Sequence, residues 1–98
     1  MSKENYENFK RRLLHELAML HFSISGVLDD RGLDGAFEWV EMKKEALYLM
    51  VDGGYAAGGI TKDDICDFRK MIDADVEQFK EDVQREDERR KWFWEHGD

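Results

Sequence analysis

Apolar residues recur at helical spacing through the first 28 residues of the chain. They are separated by three or four positions and comprise Tyr6, Phe9, Leu13, Leu17, Leu20, Ile24 and Val27. This spacing places them on one side of an α-helix. A turn follows at 29–32, where Gly32 can adopt the positive φ that often ends a helix. The pattern predicts a first helix over about 3–28, with Ser2 as its N-cap.

A second helix is predicted over 35–52. Asp34 can cap its N-terminus, and Gly53 and Gly54 are expected to end it. Its apolar residues cover a broad face and comprise Phe37, Trp39, Val40, Ala46, Leu47, Met50 and Val51. The next segment, 53–59, holds four of the eight glycines in the chain. We expect this segment to be a flexible connection.

The third helix has the clearest start. Thr61 and Asp64 fit a capping box, in which each side chain bonds the other residue's backbone N–H group. A stripe with a helical period follows at Ile65, Phe68, Ile72, Val76, Phe79 and Val83. Beyond Val83 every face is polar, but acid-then-base pairs four residues apart, such as Glu86 and Arg90, favour continued helix. The prediction is a helix over about 62–95.

Composition agrees with long helices in a single domain over 1–98. The chain has 98 residues, no proline and one cysteine. Without proline nothing interrupts a helix, and one cysteine forms no internal disulfide. There is no leader-like segment and no apolar run that could cross a membrane. The expected protein is cytoplasmic and all-α: a three-helix antiparallel bundle or helical hairpin with a long C-terminal helix.

The three predicted helices differ in length. At about 1.5 Å per residue they measure roughly 40, 26 and 50 Å, and Trp92, Phe93 and Trp94 lie about 13 Å beyond Val83. Because consecutive helical residues point about 100° apart, at least one of these aromatic side chains should be exposed. The aromatic residues could fold back on the core, be covered by a second copy or bind another protein. We expect a homodimer or higher oligomer, because symmetric dimers are the commonest oligomers.

The charge is uneven. The net charge is −8, with seven acids against three bases in 29–60 and thirteen against eight in 61–98. Such acidity argues against direct nucleic-acid binding. The acidic side chains could form a solvated face or a docking surface for a basic protein groove, as in a nucleic-acid mimic. The candidate acidic residues are Asp63, Asp64, Asp67, Asp73, Glu77 and Glu81, and the candidate aromatic anchors are Trp92, Phe93, Trp94 and Trp39.

Motifs for catalysis or cofactors are not found. His15, His21 and His96 lack metal-binding spacing, and no metal or cofactor is expected. His21 and Ser25 are four residues apart but have no carboxylate partner in the local sequence, which favours a polar notch over a nucleophile. The glycine-rich segment leads into a helix N-terminus, a general setting for anion binding, but matches no phosphate-binding motif. The sequence therefore predicts a protein that is not an enzyme.

The leading functional hypothesis is a small acidic interaction protein that inhibits or sequesters a partner by covering its surface. Small, acidic, motif-free helical chains are frequent among phage and mobile-element proteins that block host defence, including anti-CRISPR proteins; this is an analogy of class. One alternative is an oligomeric sponge for a small anionic ligand, such as a signalling nucleotide, using the 53–59 segment. Another is an immunity-type protein that neutralises a basic toxin.

Overall fold

The computed structural model describes residues 3–97 and contains three helices and no strand within that range. The helices are α1 (Lys3–Phe22), α2 (Ile24–Ala56) and α3 (Lys62–His96). The expectation of an all-α chain with a long C-terminal helix is confirmed. Ser2, the predicted N-cap of α1, lies outside the described residues.

The helices run up, down and up. The Tyr6 ring stacks on Phe68 at 5.4 Å, whereas His21, at the other end of α1, contacts Asp75 farther along α3. These contacts make α1 and α3 parallel. An ion pair joins Asp52 of α2 to Arg69 near the start of α3, and another joins Asp29 of α2 to Arg90 near its end, so α2 runs antiparallel to α3. The body is elongated, 59 × 20 × 18 Å.

The core follows the predicted stripes. On α3 the buried residues are Phe68, Ile72, Val76, Phe79 and Val83, as the helical spacing indicates. They pack with Leu13, Leu17 and Leu20 of α1 and with Val40, Leu47 and Val51 of α2. No residue beyond Val83 on α3 belongs to the buried cluster among the described residues. The predicted end of the core on this helix is therefore confirmed.

The first predicted helix boundary is wrong. The first helix ends at Phe22 instead of continuing to residue 28. At the break, Ser23 donates its hydroxyl to the Met19 carbonyl at 2.9 Å, a side-chain bond that competes with the helical backbone pattern. The chain becomes helical again at Ile24, so Ile24 and Val27 still pack on the core although they belong to α2.

The second predicted helix, 35–52, is too short at both ends, because α2 spans Ile24–Ala56. Within α2 the helical geometry is interrupted at Gly32, with φ 74° and ψ −177°. The predicted positive φ is therefore confirmed, but it marks a break inside α2 and not the end of the first helix. The break divides α2 into a short segment, 24–31, and a long segment, 33–56.

The glycine-rich connection is shorter than predicted, because 53–56 are helical and the connection comprises 57–61. Gly54 continues the helix for a reason outside the local sequence. A Cβ atom at Gly54 would lie 2.6 Å from the Phe9 ring, so glycine permits the close approach of α1 to α2. Gly58 has φ 81° and occupies the turn that follows the helix.

The start of α3 is confirmed. The Asp64 amide donates to Thr61 Oγ1 at 3.2 Å, and the Thr61 amide donates to Asp64 Oδ2 at 2.8 Å. This reciprocal pair is the predicted capping box. It satisfies two amide groups that would otherwise have no helical partner.

Replacing Gly32 by alanine tests the break inside α2. Its φ and ψ lie in a region that glycine alone adopts readily, so Gly32→Ala should lower the free energy of unfolding by about 1–3 kcal/mol. Gly26→Ala is the matched control, because Gly26 is helical and nothing lies within 4 Å of an added Cβ. That change should raise stability by up to about 1 kcal/mol. Urea unfolding measures both values, and equal effects would contradict the assigned geometry.

Candidate interaction surfaces

Hydrogen bonds hold the C-terminal part of α3 against the 24–31 segment of α2. Arg90 donates to Asp29 Oδ1 at 2.6 Å and to Ser25 Oγ at 2.8 Å. Glu86 also accepts a hydrogen bond from Arg90, which fixes the guanidinium on α3 itself. The packed bundle therefore reaches about two turns past the last core residue, Val83.

Beyond Arg90 the helix projects, and its end carries three exposed aromatic side chains. Trp92 and Phe93 are each 56% exposed and Trp94 is 88% exposed. We call these three residues the aromatic tip. The predicted exposure is confirmed, and fold-back onto the core is not observed, because α3 stays helical through His96.

The aromatic tip is ordered by local contacts along α3. The Trp92 ring stacks on His96 at 4.7 Å and meets Phe93 edge-on at 5.8 Å. The Arg89 guanidinium lies 5.8 Å from the centre of the Phe93 ring. These contacts come from residues one to four positions away, so they leave the outward surfaces of the rings accessible to a partner.

Trp39 is separate from the aromatic tip. It is partly buried, and its ring lies 5.6 Å from Phe79 in the core. Lys43 Nζ lies 5.5 Å from the centre of the same indole ring. Because Phe79 precedes Trp92 by about 20 Å along α3, Trp39 and the aromatic tip do not form one anchor.

The six candidate carboxylates are not one surface. Asp64 is engaged in the capping box, and Asp73 accepts a hydrogen bond from the Tyr48 hydroxyl of α2. That bond is the main reason why the pKa of Tyr48 is raised to about 12. These two carboxylates therefore contribute to the fold.

The other four candidates share the outward side of α3. Asp63, Asp67, Glu77 and Glu81 are exposed, and helical periodicity aligns them on the face opposite the core stripe. We call these four the acidic ridge. Glu77 has a loose ion pair with Lys80 at 3.7 Å, and Lys70 lies among the four acids. Trp92 falls eight turns after Asp63, so the acidic ridge leads toward the aromatic tip.

His21 has partners that sequence reasoning missed. Its Nε2 atom lies 2.9 Å from Asp75 Oδ2, and its Nδ1 atom lies 3.5 Å from Asp82 Oδ2. His21 and Ser25 line one cleft, as the predicted polar notch requires, but the helix breaks between them and Ser25 bonds Arg90 instead of His21. Asp75 and Asp82 are seven residues apart on one flank of α3, which is the only sequence signal for this pairing. The cluster ties α1 to α3.

A cleft of about 560 Å³ lies beside this cluster. Phe22 and Ile24 line it together with His21, Ser25, Asp82, Arg85, Glu86 and Arg89. Its charged side chains are paired with one another: Arg89 bonds Glu86 at 2.6 Å, and Arg85 lies 3.6 Å from Asp82. The opposite charges around the cleft therefore offset one another, and the exposed Phe22 ring lies beside them.

The glycine-rich connection uses its amide groups internally. The amides of Ala57, Gly58 and Gly59 donate to carbonyl groups of Gly53, Tyr55 and Gly54, respectively, at 2.9–3.0 Å. An anion cradle needs free amide groups at such a position. These bonds weigh against the backbone of this connection as a phosphate site.

No group of three or more His, Cys, Asp or Glu side chains in residues 3–97 is placed to hold a metal ion. None of the helices in the same range combines the length and apolar character needed to cross a membrane. Cys66 is a free, exposed thiol on α3.

Comparison with protein-family models, curated proteins and solved structures gave no match to this chain. The surfaces of the bundle are therefore the features that bear on its function. The two most distinctive are the aromatic tip and the acidic ridge, which lie on the same helix.

The ion pairs of Glu86 make the stability of the bundle depend on pH. Hydrogen bonds from Arg89, together with Arg90, lower the pKa of Glu86 from 4.5 to about 2. Because the folded-state pKa is depressed, the stabilisation is full above pH 4.5 and is lost as the pH falls toward 2. Glu86→Gln should therefore lower the free energy of unfolding at neutral pH and have progressively less effect in acid.

Urea unfolding at a series of pH values measures this difference. Glu88→Gln is the control, since Glu88 is an exposed acid on the same helix. The control should show little change with pH. A Glu86→Gln effect that stays constant from neutral pH to about pH 2 would contradict the role of these ion pairs.

Proposed function

We propose that this chain is a small, non-enzymatic interaction protein that inhibits or sequesters a protein partner by covering part of its surface. The observation that carries the proposal is the aromatic tip on the projecting end of α3. Tryptophan is one of the residues that dominate the binding energy of many interfaces, and phenylalanine is enriched at interface cores. A cluster of them outside the core is costly in water, and a partner's apolar pocket relieves that cost.

The acidic ridge supports a partner with a basic surface. Asp63, Asp67, Glu77 and Glu81 are exposed along α3, and complementary charge accelerates encounter with such a partner. A basic groove that otherwise binds nucleic acid has the required charge. The proposed sequence of events is electrostatic approach along α3, followed by insertion of the aromatic tip.

By the analogy of class drawn from the sequence, we place the protein in the cytoplasm in an anti-defence role of phage or mobile elements, acting as a homodimer or higher oligomer. An immunity-type protein against a basic toxin uses the same two surfaces and is the second candidate. The sponge for a small anion has weaker support, because the amides of 57–59 are bonded internally.

The aromatic tip is tested with a partner captured from the native host. Trp92→Ala and Trp94→Ala should each weaken binding by about 30-fold, the effect of a typical hot-spot residue of about 2 kcal/mol. Both side chains are exposed, so the free energy of unfolding should not change. Tyr55→Ala is the control, because this aromatic residue is 47% exposed at the opposite end of the bundle. Unchanged affinity in both tryptophan variants would reject the anchor.

The acidic ridge is tested by charge reversal. Asp63→Lys combined with Asp67→Lys should slow association with the captured partner at least about 10-fold at low salt and reduce its salt dependence. Asp64 is left intact because it caps α3. The control combines Glu7→Lys with Glu16→Lys on α1, which changes the net charge equally. If both double variants slow association to the same degree, the acidic ridge has no specific role.

A further inference from the structure

The side of α2 that faces away from the core carries a second apolar stripe. Met42, Ala46, Leu49 and Gly53 are exposed and are separated by four, three and four positions. Met42 is 58% exposed and Leu49 is 70% exposed. We call these four residues the outer seam. Their spacing is the a and d repeat of a two-stranded coiled coil, with Met42 and Leu49 at d and the small residues at a.

The outer seam is distinct from the packing surface of α2. Val40, Leu47 and Val51 of the same helix are buried in the core. Met42, Ala46 and Leu49 belong neither to the buried core nor to the partly buried side chains packed against it. Small residues at the a positions allow a second helix to approach closely.

The charges that flank the outer seam indicate which partner fits. Glu38 and Glu45 are exposed at g positions, and Lys43 is exposed at an e position. In a parallel pair of identical helices, a g residue faces the e residue of the next heptad. Glu38 of one copy then faces Lys43 of the other. In an antiparallel pair g faces g, and Glu45 would face the acidic residue Asp52 of the other copy, which is unfavourable.

An apolar groove lies beside the outer seam and can receive side chains from a second helix. Its volume is about 590 Å³, and its lining comprises Phe37, Glu38, Glu41, Met42, Glu45 and Lys80. Lys80 is held at its edge by Glu41, with Nζ 2.5 Å from Oε1. That bond raises the pKa of Lys80 and lowers the pKa of Glu41, so both groups stay charged at the rim.

We propose that two copies of this chain associate in parallel through the outer seam of α2, about a two-fold axis that runs along the helices. The inference rests on the proposed oligomeric state and names its surface. It leaves the aromatic tip free for the partner protein. Because the two copies are parallel, both aromatic tips project from the same end of the dimer.

Sedimentation equilibrium on the full chain tests the surface. The wild-type chain should be dimeric at tens of micromolar, and Leu49→Lys should be monomeric with unchanged helical circular dichroism. Leu14→Lys is the matched control, because Leu14 is also exposed but lies on α1. Leu14→Lys and Trp94→Ala should remain dimeric.

The outcomes separate this inference from the proposed function. If the dimer dissociates in Trp94→Ala but persists in Leu49→Lys, the outer seam is not the dimer interface. The aromatic tip would then be the surface through which two copies associate. A monomeric wild-type chain overturns the dimer altogether. Partner binding by the aromatic tip is measured independently with Leu49→Lys, whose tip is intact.

Disulfide trapping tests the orientation. Met42→Cys and Gly53→Cys are prepared separately in a Cys66→Ser background, which removes the exposed native thiol. In the parallel pair each introduced cysteine lies opposite the same cysteine of the other copy. Each variant alone should therefore form a covalent dimer under mild oxidation, and dithiothreitol should reverse it. Cross-linking only when the two variants are mixed would show an antiparallel pair and overturn the proposal, as would no cross-linking in either case.

Discussion

The buried stripe of α3 is the constraint on which the rest of the structure depends. Phe68 contacts Tyr6 and Phe9 of α1, and Phe79 contacts His21 of α1 and Trp39 of α2. Both other helices are therefore aligned on residues 68–83, a stretch of about 22 Å. Since α3 is 35 residues long, more than half of it lies outside this stretch. The acidic ridge and the aromatic tip occupy surfaces that the core does not use.

Helical periodicity predicts the core of α3 and its capping box because both are encoded locally. The end of α1 could not be predicted in the same way. Ile24 and Val27 fit the preceding stripe, so the break at Ser23 leaves the apolar period undisturbed. Gly54 was expected to end α2, but its role is to accommodate Phe9, and a contact between distant residues has no signature in the local sequence.

The candidate surfaces were predictable to different degrees. Exposure within the aromatic tip follows from the 100° rotation between helical neighbours. The separation of Asp64 and Asp73 from the acidic ridge could not be predicted, because the Tyr48 bond to Asp73 depends on how α2 lies against α3. The two carboxylates facing His21 likewise depend on helix packing. Pairings between helices need the tertiary arrangement, whereas faces of one helix can be derived from spacing.

The hydrogen bonds of Arg90 to Asp29 and Ser25 have a thermodynamic consequence for binding. A projecting helical end normally frays, and a partner must then order it at an entropic cost. Here the last turn before the aromatic tip is fixed to the 24–31 segment by two hydrogen bonds of 2.6 and 2.8 Å. The aromatic side chains are thus presented on a preorganised helix, and more of their contact energy is retained as affinity.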